Sequence, residues 1–178
     1  MKKEDISEVL ISEEELKDIC KRLGAQISKD YADKKLLLVS VLKGAVVFMA
    51  DLLREITCDC EIDFMAVSSY SGTKTTGIVS FRKDLDISPE DRDVLLVEDI
   101  LDSGITLSYL RGVLADRNAA SVKICTLLDK PENRKADITA DYIGKQVPDA
   151  FVVGYGLDYD EKYRNLPYVG ILAPHVYE

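Results

Sequence analysis

Residues 94–107 read VLLVEDILDSGITL. The four apolar residues from Val94 to Val97 are β-branched enough for a buried strand and too few for a helix. Glu98 and Asp99 follow, then Ile100-Leu101, a third acid at Asp102, and the small run Ser103-Gly104-Ile105-Thr106. Asp-Ser-Gly is turn and N-cap chemistry, and the segment from Ile105 to Arg117 has the pattern of a helix. The expectation is a strand, a compact loop and a helix, with carboxylates crowded at the strand's C-terminal end. In open α/β sheets that edge is where ligands bind.

Working outward, Leu36 to Leu42 (LLLVSVL) is a continuous apolar run, the signature of a strand buried on both faces. Further strands are expected at Ile62–Ser69, Val79–Asp84, Ser121–Leu128, Phe151–Tyr155 and Tyr168–Leu172. Ser12 with Glu15 three residues on is a capping box. It opens a helix to about Asp30 with Leu16, Ile19, Cys20, Leu23 and Ile27 on one face. A second helix is expected over Ala45–Ile56. Strands alternating with helices predict an α/β fold with a mainly parallel central sheet flanked by helices. Residues 69–78 (SYSGTKTTGI) are rich in Ser, Thr and Gly, the composition of a mobile loop or hairpin tip.

At 178 residues a single domain over 1–178 is expected, with enough chain for a sizeable core. The 23 basic against 32 acidic residues leave a net charge of -9, which argues against a general nucleic-acid binder. Phosphate ligands stay open, because a divalent metal can bridge like charges. Cys20, Cys58, Cys60 and Cys125 lack zinc-site spacing and read as reduced thiols. The N-terminal stretch is too acidic for a signal peptide, and no apolar run approaches the ~20 residues of a membrane helix. A cytoplasmic protein that binds no membrane and no nucleic acid is expected.

A small-residue loop opening a helix presents backbone N–H groups and the positive end of the helix dipole, and Ser103 and Thr106 add hydroxyls. This suits a phosphate monoester. The loop lacks the Gly-x-x-x-x-Gly-Lys-Ser/Thr pattern of ATPases, and no Gly-x-Gly-x-x-Gly follows any strand. The bland reading of Asp-Ser-Gly is a capped helix start. Glu98-Asp99 resists a structural reading, since adjacent carboxylates ending a buried strand repel each other and cost desolvation. Facing a sugar diol or magnesium, a hard cation that prefers oxygen ligands, they make sense. Together the motif asks for a ribose 5-phosphate.

VLLVEDILDSGITL closely resembles the phosphoribosyl-pyrophosphate (PRPP) motif of the type I phosphoribosyltransferases. VSVLKGAVVF, DFMAVSSYSG, LLDKPENR and FVVGYGLDYDEKYRNLPYVGIL extend the resemblance, in order and spacing, to the bacterial hypoxanthine(-guanine) phosphoribosyltransferase family. The resemblance implies that family's fold, with a small hood from the N- and C-terminal segments and a lid loop at about 69–78. It implies Mg2+-dependent transfer of the 5-phosphoribosyl group from PRPP to N9 of hypoxanthine or guanine, giving IMP or GMP and pyrophosphate. By the same resemblance Glu98 and Asp99 hold the ribose hydroxyls, directly or through magnesium. Asp102 is the general base near N7 of the purine, and Asp102, Ser103, Gly104, Ile105 and Thr106 hold the 5-phosphate. Lys43 and Gly44 form the pyrophosphate loop, entered by a cis peptide, and Arg164 clamps pyrophosphate. Lys130 donates to the 6-oxo group, Phe151 stacks on the purine, Val152 reads its edge through the backbone, and Asp158, counted with the purine residues, is a ligand of the second magnesium, bound with pyrophosphate. Ser69 and Tyr70 belong to the lid. A homodimer or homotetramer is implied, with an interface near Lys43 and the following helix.

Read without the family, Lys43-Gly44 is a strand end, Lys130, Asp158 and Arg164 are surface charges, and Phe151 is a core aromatic. The competing functions are a xanthine-specific phosphoribosyltransferase and an RNA-binding regulator built on the same fold. The acidic net charge disfavours the second.

Overall fold

The computed structural model describes residues 3–69 and 79–177. The first strand, β1 (Ile6–Ile11), leads into α1 (Glu13–Asp30). The predicted capping box is present: the Ser12 hydroxyl accepts from the Glu15 N–H, and the Glu15 carboxylate accepts from the Ser12 N–H. Then follow β2 (Leu36–Leu42), α2 (Val46–Glu55), β3 (Cys60–Ser69), β4 (Val79–Lys83) and β5 (Asp93–Leu101). The chain continues through α3 (Ile105–Asp116), β6 (Ser121–Asp129), β7 (Tyr142–Gln146), β8 (Val152–Val153) and β9 (Val169–Leu172).

The main sheet has the order β4-β3-β2-β5-β6-β7. Its inner pairs are parallel, and β4 alone runs antiparallel, beside β3. β5 lies centrally between β2 and β6. Alternate residues of β2 and β5 bury on opposite faces, the period-two rule for strands. Leu36, Leu38, Leu95 and Val97 pack under α1 and α2 with Leu23, Phe48 and Leu52. Leu37, Val39, Val94 and Leu96 pack under α3 with Leu107, Leu110 and Leu114. The continuous apolar run of β2 thus reflects a strand covered on both sides.

A second, three-stranded antiparallel sheet, β1-β9-β8, joins the two chain ends into the expected hood. β1 and β7 had no clear sequence signal. β1 is an exposed edge strand with Ser7 and Glu8 interrupting its apolar residues, and β7 is a short edge strand containing Gly144. The predicted strand 151–155 shrinks to Val152–Val153, because Gly154 (φ 100°) and Tyr155 (φ 50°) turn the chain out of extended geometry. Ser69 ends β3, while Tyr70 and the rest of the expected lid lie outside the described residues. No helix among the described residues is long and apolar enough to cross a membrane. All four cysteines are free thiols.

Candidate active site

β2, β5 and β6 run parallel, so Leu42, Leu101 and Asp129 bring three loops to one edge of the sheet. The sequence placed Glu98 and Asp99 at the end of the strand. They lie inside it instead, because β6 continues to Asp129 and supplies ladder partners up to the Leu101–Asp129 pair. The strand backbone therefore holds both carboxylates. Burial, and then the charge of Asp99, push the Glu98 carboxyl well above the usual range. Burial raises Asp99 too, against hydrogen bonds and the Arg164 charge that pull it down. Such a pair gains from an apposed cation or from hydroxyl donors.

The loop after β5 turns at Gly104, in the left-handed region at φ 77°. Gly104 itself is the N-cap of α3, without a side-chain cap bond. The sequence had suggested Asp-Ser capping. In the structure the Ser103 hydroxyl receives the Ile105 N–H only at 3.5 Å, the outer limit of a hydrogen bond. The first-turn amides of a helix have no intrahelical acceptor, so this end is suited to an anion. One carboxylate oxygen of Asp102, Oδ1, is buried without a hydrogen-bond partner. Residues 98–104, Thr106 and Leu107 line a hollow of about 260 Å3. A larger cleft, of about 870 Å3, lies where the strands begin and is lined by Lys34, Lys35, Cys60, Glu61 and Arg92. Among the described residues no C-terminal loop of the parallel strands lines it, and the acids of β5 lie toward the other edge.

The Leu42–Lys43 peptide is cis, as the resemblance implied. Gly44 backs onto Asp99, and a Cβ there would run into the Asp99 carboxylate. Gly156 (φ 103°) in turn packs on the Gly44 carbonyl. These two close approaches join the loop after β2, the acids of β5 and the segment after β8. Arg164 donates to the Gly156 carbonyl at 2.7 Å and pairs with Asp158 at 2.9 Å. Lys43 meets Glu161 at 3.0 Å, and Arg164 meets the same carboxylate at 3.2 Å. The hydrogen bond from Lys43, then that from Arg164, holds Glu161 below its usual pKa. Lys43 and Arg164, distant in sequence, thus converge on one acid that sequence reasoning missed.

Lys130 is buried, donating to the Ala150 carbonyl at 2.9 Å and pairing with Asp149 at 3.2 Å. That places it beside Phe151. Phe151 is not a core aromatic: it is 41% exposed, edge-on to Tyr159 and stacked on Tyr177, each at 5.4 Å between centroids. Val152 is buried in β8. Asp149, Tyr159 and Tyr177 are further residues without a sequence signal, since only the fold brings them to Lys130 and Phe151.

A family model described as "Phosphoribosyl transferase domain" matches residues 10–160. The hypoxanthine-guanine phosphoribosyltransferase of Bacillus subtilis is 59% identical over 179 aligned positions, covering 100% of this chain and 99% of that protein. That of Staphylococcus aureus is 56% identical, with 97% of each covered. Among solved structures, a hypoxanthine phosphoribosyltransferase from Staphylococcus aureus superposes with a TM-score of 0.95 at 55% identity, over 98% of this chain and 96% of that one. A mutant of the Trypanosoma cruzi hypoxanthine phosphoribosyltransferase, in a ternary substrates complex, gives 0.93 at 39% identity, over 98% and 100%. With a matched domain, close relatives over the full length and a shared fold, the chain belongs to the phosphoribosyltransferase family, in the branch of the hypoxanthine-guanine phosphoribosyltransferases.

Proposed function

We propose that this protein transfers the 5-phosphoribosyl group of PRPP to N9 of hypoxanthine or guanine, releasing pyrophosphate and giving IMP or GMP. The observation that carries this reading is the hollow at the carboxyl edge of β5. Glu98, the buried Asp99, the start of α3 and Asp102, whose Oδ1 is buried without a partner, line it together. The names of the relatives supply the purine. Lys130 and Phe151 suit it chemically: an ammonium donates to a 6-oxo group and has nothing to accept from a 6-amino group.

The 5-phosphate sits on the amides and hydroxyls from Asp102 to Thr106, and the ribose hydroxyls face Glu98 and Asp99. As the bond from C1 of the ribose to the pyrophosphate oxygen breaks, its electron pair leaves with pyrophosphate. Lys43 and Arg164 exchange Glu161 and Asp158 for that departing charge. The N9–C1 bond forms and Asp102 accepts the purine proton. The Val152 backbone lies at the purine's edge. Loop 69–78, including Ser69 and Tyr70, excludes water in the closed state.

Magnesium fits the donor set. Glu98 and Asp99 are adjacent oxygen donors, both pushed up by burial and so favoured in the charged form by an added cation, and Asp158 offers a further carboxylate. Magnesium is commonly held by one or two carboxylates together with the oxygens of a phosphate substrate. When bound, it supplies charge neutralisation at the pyrophosphate. The proposal extends to one domain over 1–178, a homodimer or homotetramer, and a cytoplasmic location.

The test is a PRPP- and Mg2+-dependent assay with hypoxanthine, guanine, xanthine and adenine. Activity with the first two is expected. Activity with adenine alone would sink the 6-oxopurine reading, and a preference for xanthine would move the chain to the alternative specificity.

A further inference from the structure

Behind the loop from Leu101 to Gly104 lies a guanidinium to which none of the ligand roles above falls. The Arg134 side chain is 16% exposed. Its Nε donates to the Asp102 carbonyl at 2.9 Å, and Nη2 donates to the Leu101 carbonyl at 3.2 Å. Nη2 also pairs with the buried Asp129 carboxylate, and Nη1 donates to the Ile138 carbonyl at 2.6 Å. The next two residues continue the contact: the N–H groups of Lys135 and Ala136 both donate to the Ser103 carbonyl, at 2.9 and 3.1 Å. The Arg134 stem packs against Gly104, where an added Cβ would touch it.

Three consecutive carbonyls, of Leu101, Asp102 and Ser103, are therefore held from one side. In a trans peptide the N–H of the next residue points opposite to the carbonyl. Fixing these carbonyls turns the N–H groups of Asp102, Ser103 and Gly104 away from Arg134, and all three residues line the hollow. Arginine suits this task because its planar fork serves several acceptors in fixed directions, whereas a lysine ammonium is a mobile point charge.

We propose that Arg134 is a positioning residue. It sets the peptide planes of the loop, and through them the phosphate-facing amides and the Asp102 carboxyl. This rests on reading the hollow as a phosphoribosyl site. Arg134 touches no substrate, so its effect passes through the loop. It follows that its loss weakens PRPP and slows turnover while leaving the purine pocket around Lys130 intact.

The test uses two variants of the full chain, followed by melting temperature and by steady-state kinetics with PRPP and hypoxanthine. Arg134→Gln with Asp129→Asn removes both partners of the buried ion pair together, so that neither charge is stranded. Arg134→Lys keeps a cation for Asp129, but three donors on one nitrogen cannot reproduce the four directed contacts of the guanidinium. Both variants are expected to raise KM for PRPP and lower kcat, by a combined factor of about a hundred, with KM for hypoxanthine nearly unchanged. A role in stability alone would lower the melting temperature and the active fraction without moving KM for PRPP. A folded double variant with wild-type KM for PRPP would overturn the proposal. Should the double variant not fold, the same result in Arg134→Lys overturns it. Absence of PRPP-dependent activity in the unmodified protein is a separate outcome, and it would remove the phosphoribosyl reading itself.

Discussion

Asp102 combines a buried, unpartnered carboxylate oxygen with a place at the start of the loop proposed to hold the 5-phosphate. Replacing it by Asn keeps the shape and removes the base. Turnover with hypoxanthine is expected to fall by about a hundredfold or more, with KM for PRPP little changed, in a steady-state assay. Lys130 carries a different burden. It is held by the Ala150 carbonyl and Asp149 and has a third ammonium proton to offer. Lys130→Met is expected to cost a charged hydrogen bond of about 1.5–3 kcal/mol, read as a rise of roughly tenfold to a hundredfold in KM for hypoxanthine. A KM unchanged in that variant would remove Lys130 from the purine pocket. These two residues were named from the sequence. Glu161, which gathers Lys43 and Arg164, was not, because an exposed acid in an acidic loop looks like any other.

Among the elements, the loop between β2 and α2 matters through its closeness to β5. Gly44 leaves no room for a side chain against Asp99. Gly44→Ala is expected to push the Asp99 carboxylate aside and lower kcat/KM for PRPP by about tenfold or more, while circular dichroism still shows the native fold. A second element, the segment after β4, is fastened to β3 by one acid. Asp63 is buried, and burial alone would raise its pKa. The N–H groups of Ile87, Phe64 and Asp86, with the Lys83 charge, outweigh that and hold it below the usual value. A carboxyl depressed in the folded state adds stability above its unfolded pKa of about 3.9 and loses it as the pH falls through the folded value. Asp63→Asn is therefore expected to cost about 1–3 kcal/mol at pH 7. The gap from wild type should stay constant above about pH 3.9 and narrow as urea melts are taken below it, toward the depressed folded value. A gap constant with pH would show that ionisation of Asp63 plays no part.

In the whole molecule, the segment after the hood strand β8 is tied to the main body by Tyr155. Its hydroxyl donates to Asp51 of α2 at 2.6 Å and lies 3.7 Å from the Cys20 sulfur of α1. Burial, and then the bond to Asp51, push the Tyr155 hydroxyl far above its ordinary pKa, so it stays a donor at every working pH. Gly156, the next residue, carries the Arg164 anchor and rests on Gly44. Tyr155→Phe is expected to lower stability by about 1.5–3 kcal/mol, seen as a lower melting temperature. An unchanged melting temperature would mean that this bond does not secure the hood to α2.

Much of the molecule was legible in local pattern. The apolar run of β2, the Ser12–Glu15 capping box and the strand–loop–helix at 94–107 each follow from short-range chemistry, as backbone propensity and side-chain period do. Those features carry the α/β class and the phosphoribosyl motif. Long-range approach lay outside their reach. That the acids of β5 sit within the strand depends on how far β6 runs beside it. That Gly44 touches Asp99, that Arg134 holds the loop from behind and that Tyr177 stacks on Phe151 depend on which segments the sheet order makes neighbours. A contact between distant residues depends on loop closure and packing across the whole core, and no local spacing records it.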